Sequence, residues 1–312
     1  MAKYDFRDKN VLITGGSRGL GLEISRLLVV RGAHLALVAR EPDELERALT
    51  ELHALNGDAR LVGETCDVSD GQAIDGMLAR VQQRLGGIDV LINDAGIIQV
   101  GPLDAMTIED FERAMKVHYF APLRTMLGAR DGMRARGGGR IANIASIGGV
   151  VSVPHLLPYS ASKFALVGLS QGMRAELAKD EILVTTVAPG LMRTGSPRQA
   201  EIKGKHRSEY AWFAISDSLP GLSMSAERAA RKIVGALERG QPMLTLGLPA
   251  KVAALANGVA PNLVTHALTW ANALLPRGSD KTTRKGFASA SKWVPSPLTV
   301  LTQRAEVRNN ER

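Results

Sequence analysis

Val11-Leu12-Ile13 runs directly into Thr14-Gly15-Gly16-Ser17-Arg18-Gly19-Leu20-Gly21, after which Leu20, Ile24, Leu27 and Leu28 recur at helical spacing. A short, continuously apolar run followed by glycines and an amphipathic helix reads as a buried strand, a tight turn and a helix packed back on the strand. The same alternation continues along the chain. Strands are predicted over Val11 to Ile13, His34 to Ala39, Leu61 to Cys66, Val90 to Asn93, Ile141 to Ala145, Leu183 to Val187 and Met243 to Leu246, with helical stretches between them. Seven strands with crossovers predict an α/β fold, a Rossmann-type doubly wound parallel sheet. Gly86-Gly87 and Gly137-Gly138-Gly139 precede strands and read as turns.

The chain has 312 residues and a net charge of +8, with ordinary fractions of apolar (45%) and charged (22%) residues, which excludes a disordered or collagen-like chain. Residues 241 to 312 hold 9 basic and 3 acidic side chains, so most of the surplus belongs to the C-terminal part. The lone Cys66 excludes an intramolecular disulfide and a cysteine-based metal cluster, and a reducing cytoplasm fits it. MAKYDFRDKN is charged and reads as neither secretory signal nor transit peptide. Val252 to Leu275 carries no acidic or basic side chain except His266, yet Asn257, Gly258, Pro261 and Asn262 divide it into pieces too short to span a bilayer.

The glycine loop allows the backbone to approach a pyrophosphate, whose charge meets the free amides at the start of the following helix. Gly15, Ser17, Arg18, Gly19 and Leu20 are therefore candidate dinucleotide contacts. NAD calls for an acidic side chain at the end of the second strand to hold the ribose hydroxyl, but this strand ends Val38-Ala39-Arg40. Arg18 and Arg40 suit a 2′-phosphate, which predicts NADP(H) as cofactor; otherwise they are solvated surface arginines. Tyr159-Ser160-Ala161-Ser162-Lys163 sets a phenol and an ammonium on one helix face. The free phenol, with a pKa of about 10, needs a neighbouring cation to act as a base. Ser146 stands at a strand end and could share the same reacting oxygen. Singly, the three read as a helix-start aromatic, a surface charge and a turn former.

Together, TGGSRGLG at 14 to 21, Asp67-Val68 after the third strand, NDAG at 93 to 96, Ser146, YSASK at 159 to 163, and Pro189-Gly190 with Thr194 beyond resemble the short-chain dehydrogenase/reductase family over about residues 8 to 247. The resemblance implies hydride transfer between a nicotinamide and a carbonyl or alcohol carbon, with no metal. It implies that Ser146, Tyr159 and Lys163 are catalytic, and that Tyr159 and Lys163 also bind the nicotinamide ribose. It further implies that Asp67 and Val68 meet the adenine, that Asn93 and the following turn with Ala95 back its ribose, and that Pro189, Gly190 and Thr194 hold the nicotinamide end. Two departures stand out. Asp94 replaces the usual second asparagine of NNAG, and His118 stands where the family places an asparagine whose carbonyl serves a proton relay. His118 could join that relay, since its ordinary pKa lies near neutrality, or simply pack within its helix. The alternative to an enzyme is a catalytically weak NADP(H)-binding regulatory or scaffold protein.

Between Gly190 and Ser225, Tyr210, Trp212 and Phe213 predict a lid over an apolar substrate; the alternative is packing. Leu156 and Leu157 would extend the apolar wall. Leu263, Val264, Ala267, Leu268, Ala271, Leu274 and Leu275 form one helix face, flanked by Trp270. The division expected is a catalytic domain over 1–247 and an apolar, basic, helical extension over 248–312. The apolar face calls for the body of the protein, a second copy in a homo-oligomer, or a membrane surface joined by Lys281, Arg284, Lys285 and Lys292. The cations are not interleaved with stacking aromatics, which argues against nucleic acid.

Overall fold

The computed structural model describes residues 3–219, 221–291, 294, 296 and 299–311. Lys292 of the cationic group named above, and Met1 and Ala2, lie outside the described residues.

The seven predicted strands all form, with ends shifted by at most two residues: β1 Asn10–Thr14, β2 His34–Ala39, β3 Leu61–Thr65, β4 Val90–Asn93, β5 Gly139–Ile144, β6 Ile182–Pro189 and β7 Met243–Leu246. They make one sheet in the order β7-β6-β5-β4-β1-β2-β3, every neighbouring pair parallel. The order reverses between β1 and β4, and there the strand ends leave a crevice. The wound helices are α1 Gly19–Val30, α2 Pro42–Leu55, α3 Gly71–Leu85, α4 Ile108–Met115, α5 Ala121–Ala135 and α6 Leu157–Leu177. Next come α7 His206–Ser218 and α8 Ala226–Arg239.

Parallel strands are covered on both faces, and the core divides accordingly. Val11 and Ile13 of β1 point to one side, where Leu20, Ile24 and Leu28 of α1 meet Ile233 and Leu237 of α8. Leu12 points to the other, against Ile74 and Leu78 of α3 and Met126 and Met133 of α5. A buried polar seam stitches the central strands: Asn93 Nδ2 donates to Asn143 Oδ1 (2.8 Å), Asn143 Nδ2 to Ser170 Oγ (3.1 Å), and Thr125 Oγ1 to Asn93 Oδ1 (2.8 Å). Each member is satisfied by another, which fixes strand and helix register where an apolar contact would tolerate sliding.

Two regions differ from expectation. The segment holding Tyr210, Trp212 and Phe213 is not an open loop, because α7 carries all three. Tyr210 and Phe213 are buried in a third cluster with Val100, Leu156 and Ile202. Beneath it, Gln99–Val100, Glu201–Ile202 and Arg284–Lys285 form a small sheet, so the C-terminal part returns to the body. Before that return, α9 Leu248–Val259 and α10 Pro261–Ala273 make a hairpin, broken where Asn257 to Asn262 predicted. Packing of the longer apolar face onto the body is not what forms: Leu263, Trp270 and Leu274 are 70%, 78% and 88% exposed. Leu248, Val252, Leu255 and Val259 form a matching exposed row on α9, at spacings of four, three and four. Among the described residues, no helix is long and apolar enough to cross a membrane. A last helix, α11 Val300–Arg308, packs on α7.

Candidate active site

The turn after β1 is built from close backbone contact. Gly15 adopts φ 75°, and a Cβ there would lie 2.9 Å from the Ala95 nitrogen. On Gly21 a Cβ would lie 2.2 Å from the Gly15 carbonyl oxygen. No other residue allows this approach, which brings the start of α1 beside the end of β4. The result is a cavity of about 340 Å³ at the reversal point of the sheet.

Gly15, Ser17, Arg18, Gly19, Leu20, Arg40, Asp67, Val68, Ala95, Ser146, Tyr159, Lys163, Pro189, Gly190 and Thr194 all line it. Asn93 does not line it. Its side chain is spent on the polar seam behind the loop, so it bears on the site through the placement of β4 and Ala95.

At the inner end, α6 presents Tyr159 and Lys163 one turn apart. The Ser146 hydroxyl, whose Oγ accepts from the Gly148 amide (3.0 Å), hydrogen-bonds the Tyr159 side chain. Lys163 is buried; its Nζ donates to the Ile144 carbonyl (2.7 Å) and lies 5.7 Å from the Tyr159 ring centre. Burial pushes the Tyr159 phenol up to about 12, and Asp217 and Asp94 add to the rise while Ser146 opposes it. Burial also lowers Lys163 to about 8, partly offset by Asp94. Asp94 itself is raised to about 7 by burial, against the pull of Lys163. Burial therefore favours the protonated phenol.

His118 lies in a π-helical turn, Lys116–Phe120, between α4 and α5. Its Nε2 accepts from the Ile97 amide (3.1 Å), leaving the proton on Nδ1, which contacts Ser162 Oγ at 2.7 Å. Ser162 Oγ in turn donates to the Tyr159 carbonyl (2.8 Å). Burial, with the Lys163 charge, holds the imidazole well below its ordinary pKa. A near-neutral His118 pKa, the premise of its joining a relay, is therefore not what the fold provides. The ring packs edge-on to Tyr159 with centres 5.4 Å apart.

The outer end holds groups that sequence reasoning missed. Arg18 pairs with Glu44 (2.8 Å). The segment after α11 crosses the glycine loop: the Gly19 amide donates to the Asn309 carbonyl (2.9 Å), and Asn310 Nδ2 donates to the Ser17 carbonyl (2.9 Å). The Glu311 carboxylate accepts from the Gly195 amide. Both amides thus already hold acceptor oxygens, which is the donor chemistry a dinucleotide phosphate requires. Trp212, Phe213, Val153 and Leu156 wall the remaining side. Tyr210 packs behind that wall, and Leu157 faces the α9–α10 hairpin instead. Among the described residues, no group of His, Cys, Asp and Glu is placed to hold a metal ion.

Residues 9–203 match the short chain dehydrogenase family. The chain belongs to the short-chain dehydrogenase/reductase family. It is 39% identical over 189 residues to a dehydrogenase/reductase SDR family protein 7-like of Anopheles gambiae, a match covering 60% of each chain. It is 31% identical over 188 residues to a 3alpha-hydroxysteroid dehydrogenase of Mediterraneibacter gnavus, covering 60% of this chain and 75% of that one. The L-sorbose reductase of Gluconobacter frateurii, solved with NADPH and L-sorbose, superposes with a TM-score of 0.70 at 28% identity, over 78% of this chain and 97% of that one. The chain thus covers less than two thirds of the length of its Anopheles relative.

Because His118 is neutral and bonded on both nitrogens, His118→Asn is expected to leave the dependence of dinucleotide binding on pH unchanged between about pH 6 and 8. A fluorescence titration across that range checks it; an ionisation lost in the variant would show that the ring titrates.

Proposed function

We propose that the protein is an NADP(H)-dependent oxidoreductase that interconverts a carbonyl and a secondary alcohol, working as a reductase. The observation carrying this reading is that Ser146, Tyr159 and Lys163 open on the same cavity as the glycine loop. A bound nicotinamide supplies hydride transfer to or from the carbonyl carbon. The Tyr159 phenol donates its proton to the carbonyl oxygen, which its high pKa suits, since the proton is present throughout the neutral range. Ser146 donates a hydrogen bond to the same oxygen and positions it. Lys163, anchored on the Ile144 carbonyl, presents its ammonium beside Tyr159 and steadies the phenolate left behind.

Arg40 and Arg18 at the rim, without an acidic side chain closing β2, support NADP(H) over NAD(H), and the sorbose reductase likeness was solved with NADPH. Trp212, Phe213, Val153 and Leu156 favour a substrate with an apolar body. Residues 1–247 form the catalytic unit and 248–312 an extension. The exposed rows of α9 and α10 suit self-association into a homo-oligomer better than a bilayer, and the lone buried Cys66 fits a reducing cytoplasm.

Tyr159→Phe should lower NADPH oxidation by carbonyls at least about 10³-fold while leaving NADPH affinity within a few-fold. Absorbance at the nicotinamide band, with fluorescence titration for binding, checks both. Tight binding without turnover of any carbonyl in the parent protein would favour a regulatory or scaffold role. Arg40→Asp should weaken NADPH and strengthen NADH, together changing their preference by about a hundredfold. Equal affinity for both in the parent would overturn the NADP(H) assignment.

A further inference from the structure

Asp217, near the end of α7, lines the cavity beside Trp212 and Phe213 and is only 6% exposed. Among the described residues its carboxyl has neither a hydrogen-bond nor an ion-pair partner. A buried carboxyl in an apolar wall costs stability unless something satisfies it, and here nothing among the described residues does. It lines the same cavity as Ser146 and Tyr159. We infer that Asp217 is a specificity-determining residue that binds a hydroxyl on the substrate, so that the preferred substrate is a hydroxylated carbonyl compound with an otherwise apolar body. Burial raises Asp217 to about 8, so the carboxyl is largely neutral and can both donate to and accept from a hydroxyl. An ammonium would instead have to leave water and enter this wall as an ion.

This inference rests on the carbonyl-reductase reading. The test measures kcat/KM for matched ketones with and without a hydroxyl on the carbon next to the carbonyl, and with an amine there. The parent should prefer the hydroxy ketone by roughly ten- to a hundredfold, Asp217→Leu should lose that preference, and the isosteric Asp217→Asn should keep part of it. Turnover with the same preference in parent and Asp217→Leu, or a preference for the amine, overturns the inference and leaves the reductase reading standing. Absence of turnover with every carbonyl removes both.

A separate observation carries a second inference. The segment 309–311 sits on two backbone donors: the Asn309 carbonyl on the Gly19 amide of the glycine loop, and Glu311 on the Gly195 amide beyond β6. Asn310 fastens it through the Ser17 and Glu44 carbonyls (2.9 and 2.8 Å) and receives Arg47 Nε (2.8 Å). We infer that this segment is an internal competitor for the phosphates of the dinucleotide and must leave for the cofactor to bind. In the full-length double variant Asn310→Ala/Glu311→Ala, NADPH should bind about fivefold or more tightly, because less of the protein is held closed. Fluorescence titration with NADPH reads this without turnover. Equal or weaker affinity in the variant overturns the competitor role, and no NADPH binding by either protein overturns the dinucleotide reading itself.

Discussion

Backbone contact between Gly15, Gly21 and Ala95 sets the geometry on which the rest of the site depends. With a Cβ at Gly21 the turn would have to open by more than an ångström, since the Gly15 oxygen would stand only 2.2 Å away. Opening it would tilt α1 off β1 and pull Leu20, Ile24 and Leu28 from the core they share with α8. The same contact aims the amides at the start of α1 into the cavity and sets Asp94 against Gly21 and within electrostatic reach of Lys163. Packing and chemistry here are one constraint.

The cavity also gathers buried ionisable groups with one dominant influence acting on all of them. Loss of water raises Asp94, Asp217, Glu311 and Tyr159 and lowers Lys163 and His118. Each shift favours the uncharged form, so much of the cavity's charge is held back near neutral pH. Lys163 and Asp94 oppose this by stabilising each other. Substitution of asparagine by Asp94 in the NDAG stretch therefore gives Lys163 a partner that an amide could not be, and holds its ammonium higher than burial alone would.

Much of this was legible in the residues, for physical reasons that differ by element. The strands were readable because a parallel sheet covered on both faces demands unbroken apolar runs such as Val90-Leu91-Ile92. Most residues expected at the cofactor pocket line it because that part of the cavity is made by local turns. Asn93 stands behind the pocket and not on its wall, and its identity alone does not reveal that its side chain meets Asn143 and Thr125 across the sheet. Helix α7 was hidden by Tyr210-Ala211-Trp212-Phe213-Ala214-Ile215, six apolar residues in a row that show no period. Nothing in the residues around Asp217 and Glu311 marks them as buried, at 6% and 3% exposed. Their burial arises only when α7 and the segment beyond α11 close over the strand ends, an outcome of tertiary contact that no local pattern records.

Most of the positive surplus lies in the C-terminal part, and the fold pairs several of these charges with carboxylates of the body. Arg308 turns inward to Glu227 (2.7 Å) and Glu23 (3.8 Å), and Lys285 meets Glu201 (3.3 Å). Arg26, itself paired with Glu51, donates to the Arg308 carbonyl (2.8 Å). These contacts anchor the segment just ahead of Asn309 to α1 and α8. Arg308 and Lys285 are 49% and 40% exposed, so their ion pairs are each worth about 0–1 kcal/mol. Glu311 lies at the other extreme, a carboxyl that burial raises to about 8 and that settles on a backbone amide. The segment 309–311 is thus held by weak, water-exposed pairs on one side and a desolvated acid on the other. That balance favours a contact able to yield to a better anion, whereas an arginine in place of Glu311 has no acceptor to offer the Gly195 amide and could not settle there.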